Sequence, residues 1–155
     1  MKHDIRKAEL FAIAERLFFS AGYEAVSVAD IIREADIAKG TFYHYFTSKE
    51  DLLDQTLDRF LAEPMQILGR IAEDQGLNGL EKLQRVIDAG SAWKAQNPES
   101  ITGLVRMLYR DENVLLRKKL RDRQMRSMAA LFTRIIRQGT EEKVFDTPYP
   151  DETGE

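Results

Sequence analysis

Between Ser27 and Leu53 the chain reads SVADIIREADIAKGTFYHYFTSKEDLL, and this segment restricts the fold more than any other. Ser27 with Asp30, and Ser48 with Asp51, are capping-box patterns that each mark a helix N-terminus. After the first, Val28, Ile31, Ile32 and Ala35 make a narrow apolar stripe at helical spacing. Asp36 and Ile37 form a turn, and a further short helix runs from about Ala38 to Tyr45. Phe42 and Phe46 stand four apart and face inward, so Tyr43 and His44 point elsewhere. Lys39, Thr41, Tyr43, His44 and Tyr45 thus crowd phosphate-binding and base-reading groups onto one short helix. The pattern points toward DNA rather than toward catalysis.

The rest of the chain up to Gly139 also has helical period, and no segment reads as a convincing strand. Leu10, Ala14, Leu17, Phe18 and Ala21 share one helix face, and Gly22 follows as a left-handed C-cap. A long fourth helix opens at Ser48, with a kink or break expected at Pro64 because proline lacks a donor and crowds the preceding turn. Residues 74–79 read as a loop, Leu80 to Gln96 as a fifth helix, and Asn97-Pro98 as a stop and restart. A sixth helix then covers about Glu99 to Tyr109. A seventh, capped by Asp111, runs to Gln138 with Gly139 as terminator, and the tail from Thr140 reads as unstructured or linker-like. The basic run Arg106, Arg110, Arg117, Lys118, Lys119, Arg121, Arg123 and Arg126 reads as a solvated helix face.

With 155 residues, 43% hydrophobic and 32% charged, the chain can bury a core as one large or two small domains. It has no cysteine, which excludes disulfides and thiolate chemistry and suits a cytoplasmic location. No apolar run approaches the ~20 residues of a membrane span, and Glu9, Glu15 and Arg16 interrupt the N-terminal apolar residues, unlike a signal peptide. The net charge of −3 argues against a protein that coats nucleic acid, but not against a local DNA reader. His3 and His44 are the only histidines and no carboxylates cluster at ligand spacing, so neither a metal nor a cofactor nor a catalytic set is expected.

AERLFFSAGY (Ala14 to Tyr23), SVADI (Ser27 to Ile31), KGTFYHYF (Lys39 to Phe46) and SKEDLL (Ser48 to Leu53) stand in an order and spacing that resembles the DNA-binding domain of TetR family transcriptional regulators. The resemblance is specific from Leu10 to Leu53. It implies an all-α protein: a three-helix helix-turn-helix domain over 1–48, a helical ligand-binding domain over 49–140, and a linker or disordered tail over 141–155. The implied function is a non-enzymatic, ligand-responsive repressor. It would leave a pseudo-palindromic operator when a small hydrophobic or amphipathic effector binds.

The DNA contacts so implied are Ser27, Lys39, Gly40, Thr41, Tyr43, His44, Tyr45 and Lys49. Physical reasoning gives several of them independently. Ser27 and Ser48-Lys49 lie at helix N-termini, which favour phosphate, and Lys49 adds a full charge. Gly40 lets the backbone approach, while Thr41 and Lys39 can meet base edges. Two departures from the family pattern stand out: Asp36 where a turn glycine is usual, and Ala38 where a serine or threonine cap is usual.

The effector pocket is expected among Phe60, Met65, Leu68, Trp93, Leu104, Met107, Leu108, Tyr109, Met128 and Phe132, although a plain bundle core accounts for most of these singly. The partners implied are double-stranded operator DNA, an effector and a second copy of the chain. The family's two C-terminal dimerisation helices are expected to be missing, since residue 155 falls in the loop where they would begin. The competing reading is a helical ligand-binding or protein-interaction module without DNA affinity; a small helical enzyme is the third.

Overall fold

The computed structural model describes residues 2–110 and 113–153, apart from the side chains of 2–5, 115, 116, 119, 123, 151 and 153. Its elements are α1 (Lys2–Ala21), α2 (Val28–Glu34), α3 (Lys39–Tyr45), α4 (Lys49–Glu73), α5 (Gly79–Gln96), α6 (Pro98–Leu108), α7 (Val114–Glu141) and α8 (Pro150–Thr153), with no strand among the described residues. The expected cap at Asp111 lies outside them.

The chain divides into two compact units. The first comprises residues 1–62 and 99–114. Leu10, Ala14 and Phe18 of α1, Ile31 of α2, Phe42 of α3 and Leu52 and Leu53 of α4 are fully buried there. Aromatic edges knit this core: Phe11 meets Phe46 at 5.4 Å and Phe19 meets Phe60 at 5.5 Å between ring centroids. Gly22 ends α1 at φ 96°, as the left-handed cap requires, and the Arg110 guanidinium lies 2.7 Å from where its Cβ would be. Gly103 of α6 similarly makes room for Phe19.

Pro64 does not break α4, which runs unbroken from Lys49 to Glu73. An interior proline costs about 3 kcal/mol. Burial of Leu52, Leu53 and Leu57 before it, and of Leu68 and Ala72 after it, offsets that cost.

The second unit comprises residues 63–98 and 115–155, with a core of Leu68, Ala72, Val86, Leu131 and Ile135. Residues 74–78 form the expected connection, one residue shorter because Gly79 already opens α5, and it closes on a capping box that the sequence pattern does not announce. Asn78 N donates to Glu81 Oε2 and Glu81 N to Asn78 Oδ1, both at 2.9 Å.

Gly139 is not a terminator, since α7 continues through it to Glu141. Its role is spatial: a Cβ there would lie 2.2 Å from the Phe145 ring. The left-handed residue is Lys143, at φ 61°, and Val144 N and Phe145 N both donate to Gly139 O at 2.8 and 3.0 Å. Residues 142–145, where the sequence pattern suggests an unstructured stretch, therefore fold back on the end of α7, and Phe145 packs against the second core.

Candidate nucleic-acid interface

The interface is built on α2, the turn after it, α3 and the start of α4. Ser27 caps α2: Asp30 N donates to its Oγ at 3.1 Å, and Ser27 N donates back to Asp30 Oδ2 at 2.9 Å. The Ser27 hydroxyl also donates to Asp30 Oδ2 at 2.6 Å, and Arg33 pairs with the same carboxylate. These bonds, Ser27's first, lower the Asp30 pKa from 3.8 to about 2. Ser27 is thus a capping residue beside a fixed negative charge. Its hydroxyl is already committed.

Asp36 takes the left-handed turn at φ 49°, so an aspartate bears the conformation usually given to glycine. Ala38 then precedes α3 with no side-chain cap, leaving the first-turn donors of α3 without one. Within α3, Phe42 is fully buried, Phe46 just beyond it is 1% exposed, and Tyr43 is 47% exposed with its ring edge-on to Phe42 at 5.2 Å. Lys39, Gly40 and His44 are exposed, while Thr41 and Tyr45 are half-buried. No heavy atom lies within 4 Å of a Cβ built on Gly40. Internal packing does not demand a glycine there.

The start of α4 differs from the expected capping box. Asp51 N donates to Ser48 Oγ at 3.0 Å, but the Asp51 carboxylate accepts from Thr47 N at 2.8 Å and not from Ser48. Hydrogen bonds from Gln55 and then Thr47 hold its pKa below the ordinary value. Lys49 is half-buried, donates from Nζ to Tyr23 O at 3.0 Å, and sits 4.1 Å from the Tyr23 ring centroid. It ties the loop after α1 to α4. Lys7, which no sequence motif singles out, places its ammonium 5.6 Å from the ring centroids of Phe11 and Phe46.

The expected pocket residues divide between the units. Phe60, Leu104, Met107, Leu108 and Tyr109 belong to the first, where Leu104 and Met107 are buried and Tyr109 is 71% exposed. Met65, Leu68, Trp93, Met128 and Phe132 belong to the second. There Leu68 is core, Met128 and Phe132 are half-buried and pack against it, and Trp93 Nε1 donates to Glu63 Oε2 at 3.4 Å. No group of three potential metal ligands occurs among the described residues. No helix among them is long and apolar enough to cross a membrane.

The ionised Asp30 carboxylate gives a first prediction. Because its folded-state pKa is depressed, its contribution is complete above about 4 and lost as pH falls toward about 2. Asp30→Asn should lower the Tm by a few degrees at neutral pH in thermal melts, and the gap from wild type should close in that acid window. A gap constant down to pH 2 would assign the effect to shape, not charge.

Two short helices around a tight turn, with a third buttressing them and a polar face turned outward, define a helix-turn-helix DNA-binding regulator. The family described as bacterial regulatory proteins, tetR family, matches residues 10–56. The HTH-type transcriptional repressor KstR2 of Mycobacterium tuberculosis is 30% identical over 147 residues, covering 90% of this chain and 69% of that protein. KstR2 of Rhodococcus jostii is 45% identical over 56 residues, covering 36% of this chain and 28% of that one. A TetR-family regulatory protein from Rhodococcus RHA1 superimposes with a TM-score of 0.69 at 22% identity, covering 96% of this chain and 77% of that one, a likeness of fold. The chain belongs to the TetR family of transcriptional regulators.

Proposed function

We propose that the protein is a repressor that binds a pseudo-palindromic operator as a homodimer and leaves it when a small hydrophobic or amphipathic effector binds. The observation that carries the reading is the outward face of α3: Lys39, Gly40, Tyr43 and His44 lie exposed on a helix anchored from behind by Phe42. In this reading 1–48 form the DNA-binding part and 49–140 the regulatory part, in the cytoplasm. Two recognition helices would enter successive major grooves about 34–36 Å apart. Lys39 and Thr41 meet base edges, Tyr43 and His44 lie along the phosphates, and Tyr45 supports them. The first-turn amides of α4, beside Ser48 and Lys49, hold a second phosphate. Release requires an effector that binds the non-operator conformation more tightly, since equal affinity for both shifts nothing.

Selection of bound fragments from genomic DNA, repeated with candidate hydrophobic ligands, tests the reading directly. Recovery of no preferred sequence would overturn it in favour of a module without DNA affinity. Within it, Thr41→Ala should change which base is preferred at one operator position at a cost of about 1–3 kcal/mol. Lys49→Ala should instead weaken all sequences alike and reduce the salt slope by about 1. The Lys49 bond to Tyr23 O adds a loss of thermal stability to the second variant. Melting curves beside the binding titration separate the two effects.

A further inference from the structure

α6 packs with the DNA-binding helices in the first unit, although its residues fall within the stretch 49–140 proposed as regulatory. Its contacts with α1 run in register. Ser100 Oγ donates to Glu15 Oε1 at 3.3 Å. A Cβ on Gly103 would lie 2.7 Å from Phe19 Cβ and 3.2 Å from Phe19 O, so the two helices approach closely there. Arg110, two residues beyond α6, lays its guanidinium against Gly22, with Cζ and Nη1 2.7 Å and Nε 3.1 Å from where a Cβ would stand. Glu15, Phe19 and Gly22 are spaced by four and then three, one face of α1 continued into its cap.

The guanidinium stands where α1 needs a positive charge. A helix C-terminus carries a partial negative charge on its unpaired carbonyls, and a cation there is stabilising. α1 has no basic residue in its own last turn, so Arg110 supplies one from the end of α6. The corner that Arg110 grips also holds Lys49. Gly22 N donates to Phe18 O at 2.9 Å, and the Tyr23 ring meets Phe18 edge-on at 5.5 Å between centroids. Tyr23 then engages Lys49 twice, through its carbonyl at 3.0 Å and its ring face at 4.1 Å. Arg110 and Lys49 therefore act on adjacent residues, one from the end of α6 and one from the start of α4. A lysine ammonium rides on a flexible four-carbon stem. Tyr23 sets where that of Lys49 stands, and the hold on Gly22 sets where Tyr23 stands.

We infer that Arg110 is a positioning residue for operator binding: by clamping the Gly22–Tyr23 corner, it holds the Lys49 ammonium where the phosphate beside the α4 N-terminus is bound. The inference rests on the proposed phosphate contact of Lys49 and adds to it a residue that acts without touching DNA.

Operator titrations well below the melting temperature test this, using wild type, Arg110→Gln, Arg110→Lys, Lys49→Ala and the double variant Lys49→Ala/Arg110→Gln. Arg110→Gln should weaken the complex about three- to fivefold, the scale of a cation at a helix C-terminus, and Arg110→Lys should restore most of the loss. In the Lys49→Ala background Arg110→Gln should have no further effect, because the route through Lys49 is already gone. A merely structural role would lower the Tm in both backgrounds and leave the affinity of the folded protein untouched. Unchanged affinity in Arg110→Gln, or equal losses in the two backgrounds, would overturn the proposal. Wild-type affinity in Lys49→Ala would overturn the contact on which it rests, and the proposal with it. Hydrogen exchange without DNA reads the clamp separately: the amides of Gly22 and Val26 should exchange several-fold faster in Arg110→Gln. Unchanged exchange there would refute the clamp even if the chain selected no operator.

Discussion

Phe42→Ala is expected to eliminate DNA binding by unfolding the helix-turn-helix, while Tyr43→Phe, one residue away, leaves the fold intact and weakens binding alone. The neighbours differ only in which way α3 turns them. Phe42 is fully buried, with its ring 5.7 Å from Phe46 and 5.2 Å from Tyr43. Truncating such a phenylalanine costs about 3–5 kcal/mol through lost transfer energy and the cavity left behind. That is a large share of the roughly 5–15 kcal/mol typical of a domain. α3 has seven residues and no side-chain cap, so it has little helical stability apart from this packing. Tyr43, at 47% exposed, loses only its hydroxyl in the phenylalanine variant. Urea denaturation should therefore show a large fall in midpoint for Phe42→Ala and almost none for Tyr43→Phe. Operator titration should show a loss of roughly tenfold for Tyr43→Phe, as expected for one phosphate hydrogen bond. Equal affinities of wild type and Tyr43→Phe would remove Tyr43 from the proposed contact set.

What the sequence reveals and what it conceals divide by chain distance. The Ser27–Asp30 cap, the inward Phe42 and Phe46, the outward Tyr43 and the left-handed Asp36 are fixed by residues within four positions, and each is legible. Family membership is legible for the same reason, since its motifs are short and ordered. Lys49 reads from sequence as a phosphate-facing charge, and its bond to the Tyr23 carbonyl is hidden because that residue is 26 positions away. The Ser48–Asp51 pattern is half right. The Asp51 carboxylate reaches one residue further back, to Thr47. Gly139 reads as a helix stop because glycine usually is one, and only its neighbours in space, Gly79 and Phe145, reveal why it is there. The loop glycines before α5 similarly hide the Asn78–Glu81 box. The burial of Lys82, which is only 2% exposed, gives no signal at all, as a lysine in the first turns of an amphipathic helix is ordinarily solvated.

Gly79→Ala is the substitution expected to damage the second unit most. A Cβ on Gly79 would lie 2.5 Å from Gly139 Cα, 2.6 Å from Gly139 N and 3.1 Å from Ile135 O. All three are backbone atoms of α7, so no side chain can swing aside. The N-terminus of α5 must move off α7 instead. That shift stretches the 2.7 Å bond from Gly79 N to Glu142 and disturbs the hydrogen bonds that link Glu142 through Gln138 to Lys82. Overpacking of this kind costs about 1–3 kcal/mol, and a backbone-to-backbone clash belongs at the upper end or beyond. Helix propensity opposes it only weakly, favouring alanine by about 1 kcal/mol. Gly90 provides the internal control, because it lies in the same helix and a methyl added to it would meet nothing within 4 Å. Gly90→Ala should stabilise by up to about 1 kcal/mol, whereas Gly79→Ala should lower the urea midpoint and expose the amides of α5 and of α7 near Gly139 to hydrogen exchange. If both alanines raised stability alike, the close approach of α5 to α7 at Gly79 would be refuted.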